Sequence, residues 1–242
     1  MSTNSCMLQV VNIEALVVRK PIKNLHLAVL PPAGKVRVSA PLAMKDDAIR
    51  TLLATRIGWI KKQQEKFRTQ ERQTPREYVS GESHYYWGKR YRLEVTYDEK
   101  PSSVNLLGKE KIALSVRPNS DRNKREQVMM DWYRQELRSV ASGLIEQWQK
   151  TMGISLKEWG IKRMKTRWGT CNQRAGRIWL NLELAKKPGH CLEFIIVHEM
   201  THLLERSHND RFKAYLDQFM PRWRQHKEEL NRSVLSYERW EY

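Results

Sequence analysis

One apolar segment, residues 195–204, contains three ionisable side chains: His198, Glu199 and His202. Its sequence, IIVHEMTHLL, has the apolar flanks expected of a helix that is buried in a protein core. Burying two imidazoles and a carboxylate without partners is costly, so the fold has to supply groups that interact with them. The segment therefore requires a core large enough to enclose a helix and a polar site within it.

The three residues follow the pattern H-E-x-x-H, which is typical of a zinc-binding helix. Residues four apart lie on one face of a helix, so His198 and His202 can direct ring nitrogens at a single metal ion. Zinc accepts such nitrogens at about 2.0–2.1 Å and keeps one position for water in catalytic sites. Glu199 stands beside the first histidine and can take a proton from that water. The pattern predicts a hydrolytic metal site with Glu199 as the general base.

A site of this kind needs a third protein ligand, and His208 is favoured. It lies six residues after His202, beyond a helix end predicted at residues 205–207, so the chain can turn back towards the metal. Zinc also accepts carboxylates, which leaves four acidic alternatives: Glu205, Asp210, Glu228 and Glu229. The other histidines are interpreted as surface or structural residues: His26, His84, His190 and His226.

The chain before this helix reads as a mixture of strands and helices, which predicts an α+β fold. A β-rich stretch over residues 8–41 precedes a helix expected from Asp46 or Asp47 to about Thr69. A polar connection containing Pro75 then predicts a boundary. The expected segments are 1–75, β-rich with one helix, and 76–242, the hydrolase domain, and the two can pack as one unit.

The second segment also begins with strands. Gly108-Lys109-Glu110 predicts a hairpin, and an amphipathic pattern predicts a helix over residues 121–151 that ends at Gly153. Alternating residues predict a strand over 178–184, with Asn181 on its polar side. This strand is a candidate to align an extended peptide substrate by strand addition.

Three features together closely resemble the YgjP-like metal-dependent hydrolases: the H-E-x-x-H helix, the downstream His208 and Phe212, and the preceding turn Arg167-Trp168-Gly169-Thr170-Cys171. That family looks related to the SprT and WLM zinc metallopeptidases. The resemblance also takes in residues 81–91 and the N-terminal strands, so it covers most of the chain. It implies a minimal zincin-like domain with an N-terminal β-rich extension. It also implies His198, His202 and His208 as metal ligands and Glu199 as the general base.

Two hydrolytic functions and one binding function follow from these features. A zinc metallopeptidase is favoured by the motif and the related families. A nucleoside-triphosphate pyrophosphatase acting on UTP is also implied by the resemblance, and basic residues before the motif suit it. Three of them are candidate substrate-binding residues: Arg163, Lys165 and Arg167. A nucleic-acid-binding module with a structural metal is the third option, although structural zinc is closed by four protein ligands. The expected cofactor is Zn²⁺, with Mg²⁺ or Mn²⁺ as alternatives.

Composition limits the partners and the compartment. The 242 residues include 44 Lys and Arg against 27 Asp and Glu, a formal net charge of +17 that attracts anions such as nucleic acid. No apolar run approaches the ~20 residues of a membrane span, and no basic region precedes the short apolar stretch at the N-terminus. The three cysteines show no paired spacing. We therefore expect a cytoplasmic protein with a peptide or nucleotide substrate and no membrane segment.

Overall fold

The computed structural model describes residues 5–30, 33–69, 76–164 and 167–232. These residues form two compact units, one of residues 5–69 and one of residues 76–232. Both units contain mixed β-sheets and helices, and the first is rich in strands. The predicted α+β class with an N-terminal β-rich region is confirmed.

The first unit contains one four-stranded sheet and two helices. Its strands are β1 (Ser5–Val10), β2 (Ile13–Lys20), β3 (His26–Leu30) and β4 (Lys35–Pro41). They lie in the order β1-β2-β4-β3, with the central pair parallel and the outer pairs antiparallel. Alternate residues of β4, including Val36 and Val38, are buried, which gives the sheet one apolar face.

Helices α1 (Asp46–Thr55) and α2 (Ile57–Thr69) complete the core of this unit. Ile49, Leu53 and Ile60 from these helices pack in the same core as the buried strand residues. The sequence predicted one helix over this stretch. The structure instead has two helices, because the helix is interrupted at Arg56, whose backbone φ of −106° and ψ of 7° depart from helical values.

The second unit begins with another four-stranded sheet. Its strands are β5 (Ser83–Tyr86), β6 (Lys89–Tyr97), β7 (Ser103–Leu107) and β8 (Lys111–Val116), in the order β5-β6-β8-β7. The predicted hairpin joins β7 to β8, with Gly108 at a φ of 62°. Helix α3 (Arg122–Met152) follows, capped by the Asp121 side chain, which accepts from the Lys124 N–H at 2.7 Å. It ends at Gly153 in the left-handed region, as predicted.

A three-stranded sheet and three helices form the rest of the unit. The strands are β9 (Glu158–Lys162), β10 (Gly169–Asn172) and β11 (Arg177–Asn181), in the order β10-β11-β9. The helices are α4 (Gly189–Leu204), α5 (Asp210–Phe219) and α6 (Trp223–Arg232). One buried core contains residues of β5, β6, β8, β9 and β11 and of all four helices of this unit. None of the described helices has the length and apolar composition needed to cross a membrane.

The strand predicted over residues 178–184 was too long. β11 ends at Asn181, and residues 182–186 form a 3₁₀ turn. The side chain of Asn181 accepts from the backbone N–H of Glu183 at 3.2 Å, which caps the turn. Asn181 and Glu183, expected on the polar side of a strand, are therefore both buried.

Candidate metal centre

The H-E-x-x-H segment lies on α4, which runs through the core of the second unit. Apolar residues on either side of the motif are buried, including Ile196, Val197 and Met200. His198 is partly buried, and Glu199 is only 6% exposed. The expected combination of a buried helix with ionisable groups inside the core is therefore observed.

Three histidine rings converge at one end of this helix. The ligand atoms offered by His198, His202 and His208 all lie within 4.8 Å of one another, and the Nε2 atoms of His198 and His208 are 3.0 Å apart. Nitrogens bound to one tetrahedral zinc ion at about 2.0–2.1 Å are themselves about 3.3 Å apart. The three rings therefore need only small adjustments to bind a single ion, and they form the one metal-binding cluster among the described residues.

Hydrogen bonding and burial suit these rings to a cation. Nδ1 of His202 lies 3.2 Å from the carbonyl oxygen of Glu205, an acceptor that leaves Nε2 available for a metal. Nδ1 of His198 is buried and has no hydrogen-bond partner among the described residues. Burial, reinforced by the neighbouring histidines, lowers the pKa of His198 to about 3. Burial also lowers the pKa of His202. Both rings are therefore neutral at pH 7, the form that binds metal ions.

His208 lies in the turn just before α5, where it meets the other two histidines. Asn209 caps this helix, because its side chain accepts from the Phe212 N–H at 3.0 Å. The buried Phe212 ring then lies 5.0, 4.6 and 4.8 Å from the rings of His198, His202 and His208, measured between centroids. Phe212 is thus a shared apolar support for all three, a role that its place in the resembled motif did not reveal.

The acidic alternatives to His208 interact elsewhere. Their partners are as follows: Glu205 with the Ser207 N–H, Asp210 with Lys213, Glu228 with Arg232 and Glu229 with His190. His84 pairs with Glu82, and the ring of His226 lies against that of His190 with the centroids 4.9 Å apart and the planes tilted by 36°. Among the described residues, the candidate ligands that the structure brings together as a group of three are His198, His202 and His208.

The Glu199 carboxylate packs directly against the backbone of β10. A Cβ atom on Gly169 would lie 2.7 Å from both Cγ and Oε1 of Glu199, so only glycine allows this approach. Burial raises the pKa of Glu199 to about 7, while the positive charge of Arg167 acts in the opposite direction. A carboxylate with a pKa near neutrality is suited to accept and return a proton.

Asn181 fixes the loop that leads into β10. Its Nδ2 donates to the carbonyl oxygens of Met164 at 2.8 Å and Arg167 at 2.7 Å, and its Oδ1 accepts from the Met164 N–H at 3.3 Å. Its backbone N–H also donates to the Trp168 carbonyl at 2.9 Å. The side chain of Asn181 therefore holds Arg167, and its backbone N–H holds Trp168, beside the candidate metal centre.

A cleft of about 950 Å³ opens over the histidines and Glu199. Residues 167–174 form part of its lining, together with Phe194 and Ile195 of α4. Lys227 and Leu230 of α6 also line it. The cleft therefore joins the candidate metal centre to β10.

The predicted substrate-binding residues are placed differently from one another. Arg167 lines the cleft. Arg163 is not among the lining residues and forms an ion pair with Glu126 at 3.0 Å. Lys165 lies outside the described residues. The position of Arg163 therefore gives no support to its predicted role in substrate binding.

The structure also corrects the strand proposed for substrate alignment. β11 is the central strand of its sheet, because it pairs with β10 on one side and β9 on the other. Its hydrogen-bonding edges are both occupied, so it cannot add a further strand. β10 is at the edge of this sheet, and all of its residues line the cleft. The strand available beside the histidines is thus β10.

Cys171 lies on β10 within the cleft and is half-buried. Burial, together with the nearby negative charge of Glu199, raises the pKa of its thiol to about 11. The thiol is therefore protonated at neutral pH and is not an activated nucleophile.

Sequence reasoning missed three residues that shape the cleft or its loop: Asn181, Arg206 and Lys227. Arg206 lies between the predicted ligands His202 and His208 in the sequence, so its position near the site could have been predicted from the motif. Lys227 comes from a helix that follows the motif at a distance, and no local pattern indicates its position. Asn181 looked like a surface residue of an alternating strand.

Comparison with known proteins places this chain in a family of metal-dependent hydrolases. The family described as "YgjP-like, metallopeptidase domain" matches residues 23–233. The chain belongs to this YgjP-like family. The family implies a divalent metal, and its description gives no support to the predicted nucleotide pyrophosphatase.

Among solved structures, the crystal structure of the metallopeptidase zymogen of Pyrococcus abyssi abylysin is similar to part of the chain. The sequence identity is 18% and the TM-score is 0.35, and the match covers 39% of this chain and 98% of the other. No match was found among curated proteins.

Proposed function

We propose that the protein is a zinc metallopeptidase that hydrolyses peptide bonds in the cleft between α4 and β10. One observation carries the proposal: three converging histidines, a buried glutamate and an edge strand share a single cleft. The family to which the chain belongs supports a metallopeptidase.

His198, His202 and His208 would hold the zinc ion. Three protein nitrogens leave a coordination position open, which distinguishes a catalytic zinc site from a structural one. Zinc bound there would polarise the substrate carbonyl and acidify water. The donor set favours zinc over Mg²⁺, which prefers oxygen ligands.

Glu199 is the general base of the proposed reaction. It takes a proton from the attacking water and passes it to the leaving amine. Its contact with Gly169 fixes the carboxylate between α4 and β10, on the wall of the same cleft. Burial of Glu199 keeps bulk water from competing for that proton.

β10 would bind the substrate as an added strand. An edge strand offers backbone N–H and C=O groups that pair with an extended peptide, and side-chain pockets then add specificity. The part of the chain that the structure describes contains no strand paired with the second edge of β10. A peptide held there runs past Glu199 and the histidines.

Two substitutions separate proton transfer from metal binding. Glu199→Gln keeps the shape of the side chain and the three ligands, so we expect retained zinc and a turnover about 10²–10⁴ times lower. His202→Ala should lose both zinc and turnover. The measurements are zinc content by atomic emission and cleavage of an unfolded polypeptide by the zinc-reconstituted protein.

The first unit supplies matched controls. Glu14→Gln and His26→Ala change exposed residues of β2 and β3 and should alter neither quantity. Full activity of the Glu199→Gln protein would contradict the general-base role. Zinc binding that survives His202→Ala unchanged would contradict the ligand set.

A further inference from the structure

The charged residues that line the cleft are almost all positive. Four cations contribute to its walls: Arg167, Arg174, Arg206 and Lys227. Glu199 is the only acidic residue among the described lining residues. Glu199 is 6% exposed, whereas the four cations are all exposed. A substrate entering the cleft therefore meets positive charge.

Among the described residues, these four cations form no ion pairs, although the charge of Arg167 acts on the buried Glu199, whereas many cations elsewhere are paired. The ammonium group of Lys227 lies 5.6 Å from the centroid of the Trp223 ring. Elsewhere in the second unit, ion pairs are frequent: Arg122 and Arg163 with Glu126, Arg134 with Asp131, Lys150 with Glu146, Arg177 with Glu158, and Arg224 with Asp217. The charge of the cleft is thus left for a ligand to neutralise.

The cations also have a defined place along the proposed path of the substrate. Arg167 comes two residues before the start of β10, and Arg174 comes two residues after its end. Arg206 follows α4, close to His208 in the chain, and Lys227 lies on α6. Positive charge therefore flanks the edge strand at both ends and is not gathered around one point, as it would be for a single phosphate group.

We propose that the cleft selects acidic polypeptide segments, with aspartate or glutamate side chains on both sides of the scissile bond. This inference rests on the proposed peptidase function and names the substrate class for it. The exposed guanidinium and ammonium groups pair with substrate carboxylates, while the backbone of β10 holds the main chain. Because the cations are solvent-exposed, the preference weakens as the salt concentration rises.

Three fluorogenic peptides of equal length test the inference. They carry Glu, Gln or Lys at the same positions on both sides of one central bond. With zinc-loaded wild-type protein, we expect kcat/KM for the Glu peptide to exceed that for the Gln peptide about tenfold, mainly through KM. In the double variant Arg174→Glu with Arg206→Glu, the preference should disappear and the Lys peptide should become the best substrate.

A second double variant provides the matched control. Lys89→Glu with Arg90→Glu makes the same change in net charge on exposed residues of β6 that do not line the cleft. Its preference among the three peptides should equal that of the wild type. A loss of preference in this control as large as in the cleft variant would overturn the inference, because net charge alone would then account for it.

Binding measured without turnover separates the two proposals. Fluorescence anisotropy of the uncut peptides with zinc-loaded Glu199→Gln protein should show tightest binding of the Glu peptide. Equal binding of all three peptides overturns the acidic preference, even where wild-type protein cleaves them. Tight binding of the Glu peptide without cleavage by the wild type supports the acidic site and overturns the peptidase. Cleavage of UTP that is lost in Glu199→Gln, with no peptide cleaved, overturns the polypeptide substrate class.

Discussion

The two four-stranded sheets of this protein have the same topology. In each, the strands lie in the order first-second-fourth-third, the second and fourth strands are parallel, and the outer pairs are antiparallel. A glycine with positive φ precedes the fourth strand in both, Gly34 at 68° and Gly108 at 62°. The fourth strands β4 and β8 also share one burial pattern, with alternate residues in the core. The same local design is thus used twice.

The elements that pack against each sheet differ. The sheet of the first unit has a core with the two short helices α1 and α2, and no metal-binding cluster occurs among its described residues. The sheet of the second unit shares its core with α3, α4 and the strands β9 and β11. The candidate metal centre of the second unit is therefore formed by elements that come after its four-stranded sheet in the chain. Sheet topology alone therefore does not create a metal-binding cluster in this protein.

The largest loss of activity in this comparison is expected from a change at the close contact between β10 and α4. Gly169→Ala would place a Cβ atom 2.7 Å from Glu199, so the carboxylate has to move while the three histidines stay in place. Since a displacement of about 1 Å in an active site can cost a factor of 10², we expect kcat to fall about 10²-fold with zinc retained. Steady-state kinetics and zinc content measure the two quantities.

Gly58→Ala in α2 is the matched substitution in the first unit. No atom lies within 4 Å of the added Cβ, and replacing a helical glycine stabilises by about 0.5–1 kcal/mol. Turnover should stay at the wild-type value. Wild-type kcat in Gly169→Ala would show that the backbone of β10 does not position Glu199.

A smaller loss is expected from the loop before β10. Asn181→Leu removes the side-chain hydrogen bonds that hold Met164 and Arg167, and it leaves their partly buried carbonyl oxygens without these donors. We expect kcat/KM to fall about tenfold, with zinc content unchanged, because the loop positions substrate and not metal. Hydrogen exchange of the Arg167 and Trp168 amides should accelerate.

Gln64→Leu is the counterpart in the first unit. Gln64 donates from Nε2 to the Gly34 carbonyl at 2.9 Å and so fixes the turn before β4. Its loss should loosen that turn without changing turnover. If Asn181→Asp, which keeps the acceptor but loses the donor, retained full activity, the bonds to Met164 and Arg167 would not be needed.

The spacing of residues in the sequence was enough to predict that His198, His202 and His208 converge. It was not enough to predict the residues that surround them. The four-residue separation of His198 and His202 places both side chains on one face of a helix. Because that helix ends before His208, the chain can turn back towards them. The Asn209 cap and the Phe212 contact follow from residues close in sequence to these ligands. Such short-range geometry depends on a few backbone angles and can be read from a sequence.

Predictions that depended on distant contacts were less accurate. Alternation along residues 178–184 indicated a strand, but the hydrogen bonds of Asn181 turn the chain and bury Glu183. Arg163 looked equivalent to Arg167 as a cation before the motif, yet the partner it contacts, Glu126, lies 37 residues away in the sequence. No local pattern distinguishes the two arginines, because their difference arises from packing against α3.

The mildest test compares the same position in the two sheets. Val38 of β4 and Leu114 of β8 are both fully buried, and the cores to which they belong share no residue. Truncation of either to alanine leaves a cavity, and Leu114→Ala should destabilise its unit by about 2–5 kcal/mol, with a smaller cost for Val38→Ala.

Calorimetry with a zinc indicator follows unfolding and metal release together. We expect Leu114→Ala to lower the temperature of zinc release and Val38→Ala to leave it unchanged, because β8, unlike β4, shares a core with α4, which carries the predicted ligands His198 and His202. Equal shifts would show that the two sheets unfold as one cooperative structure, and the repeated sheet of the first unit would then contribute to the stability of the metal centre.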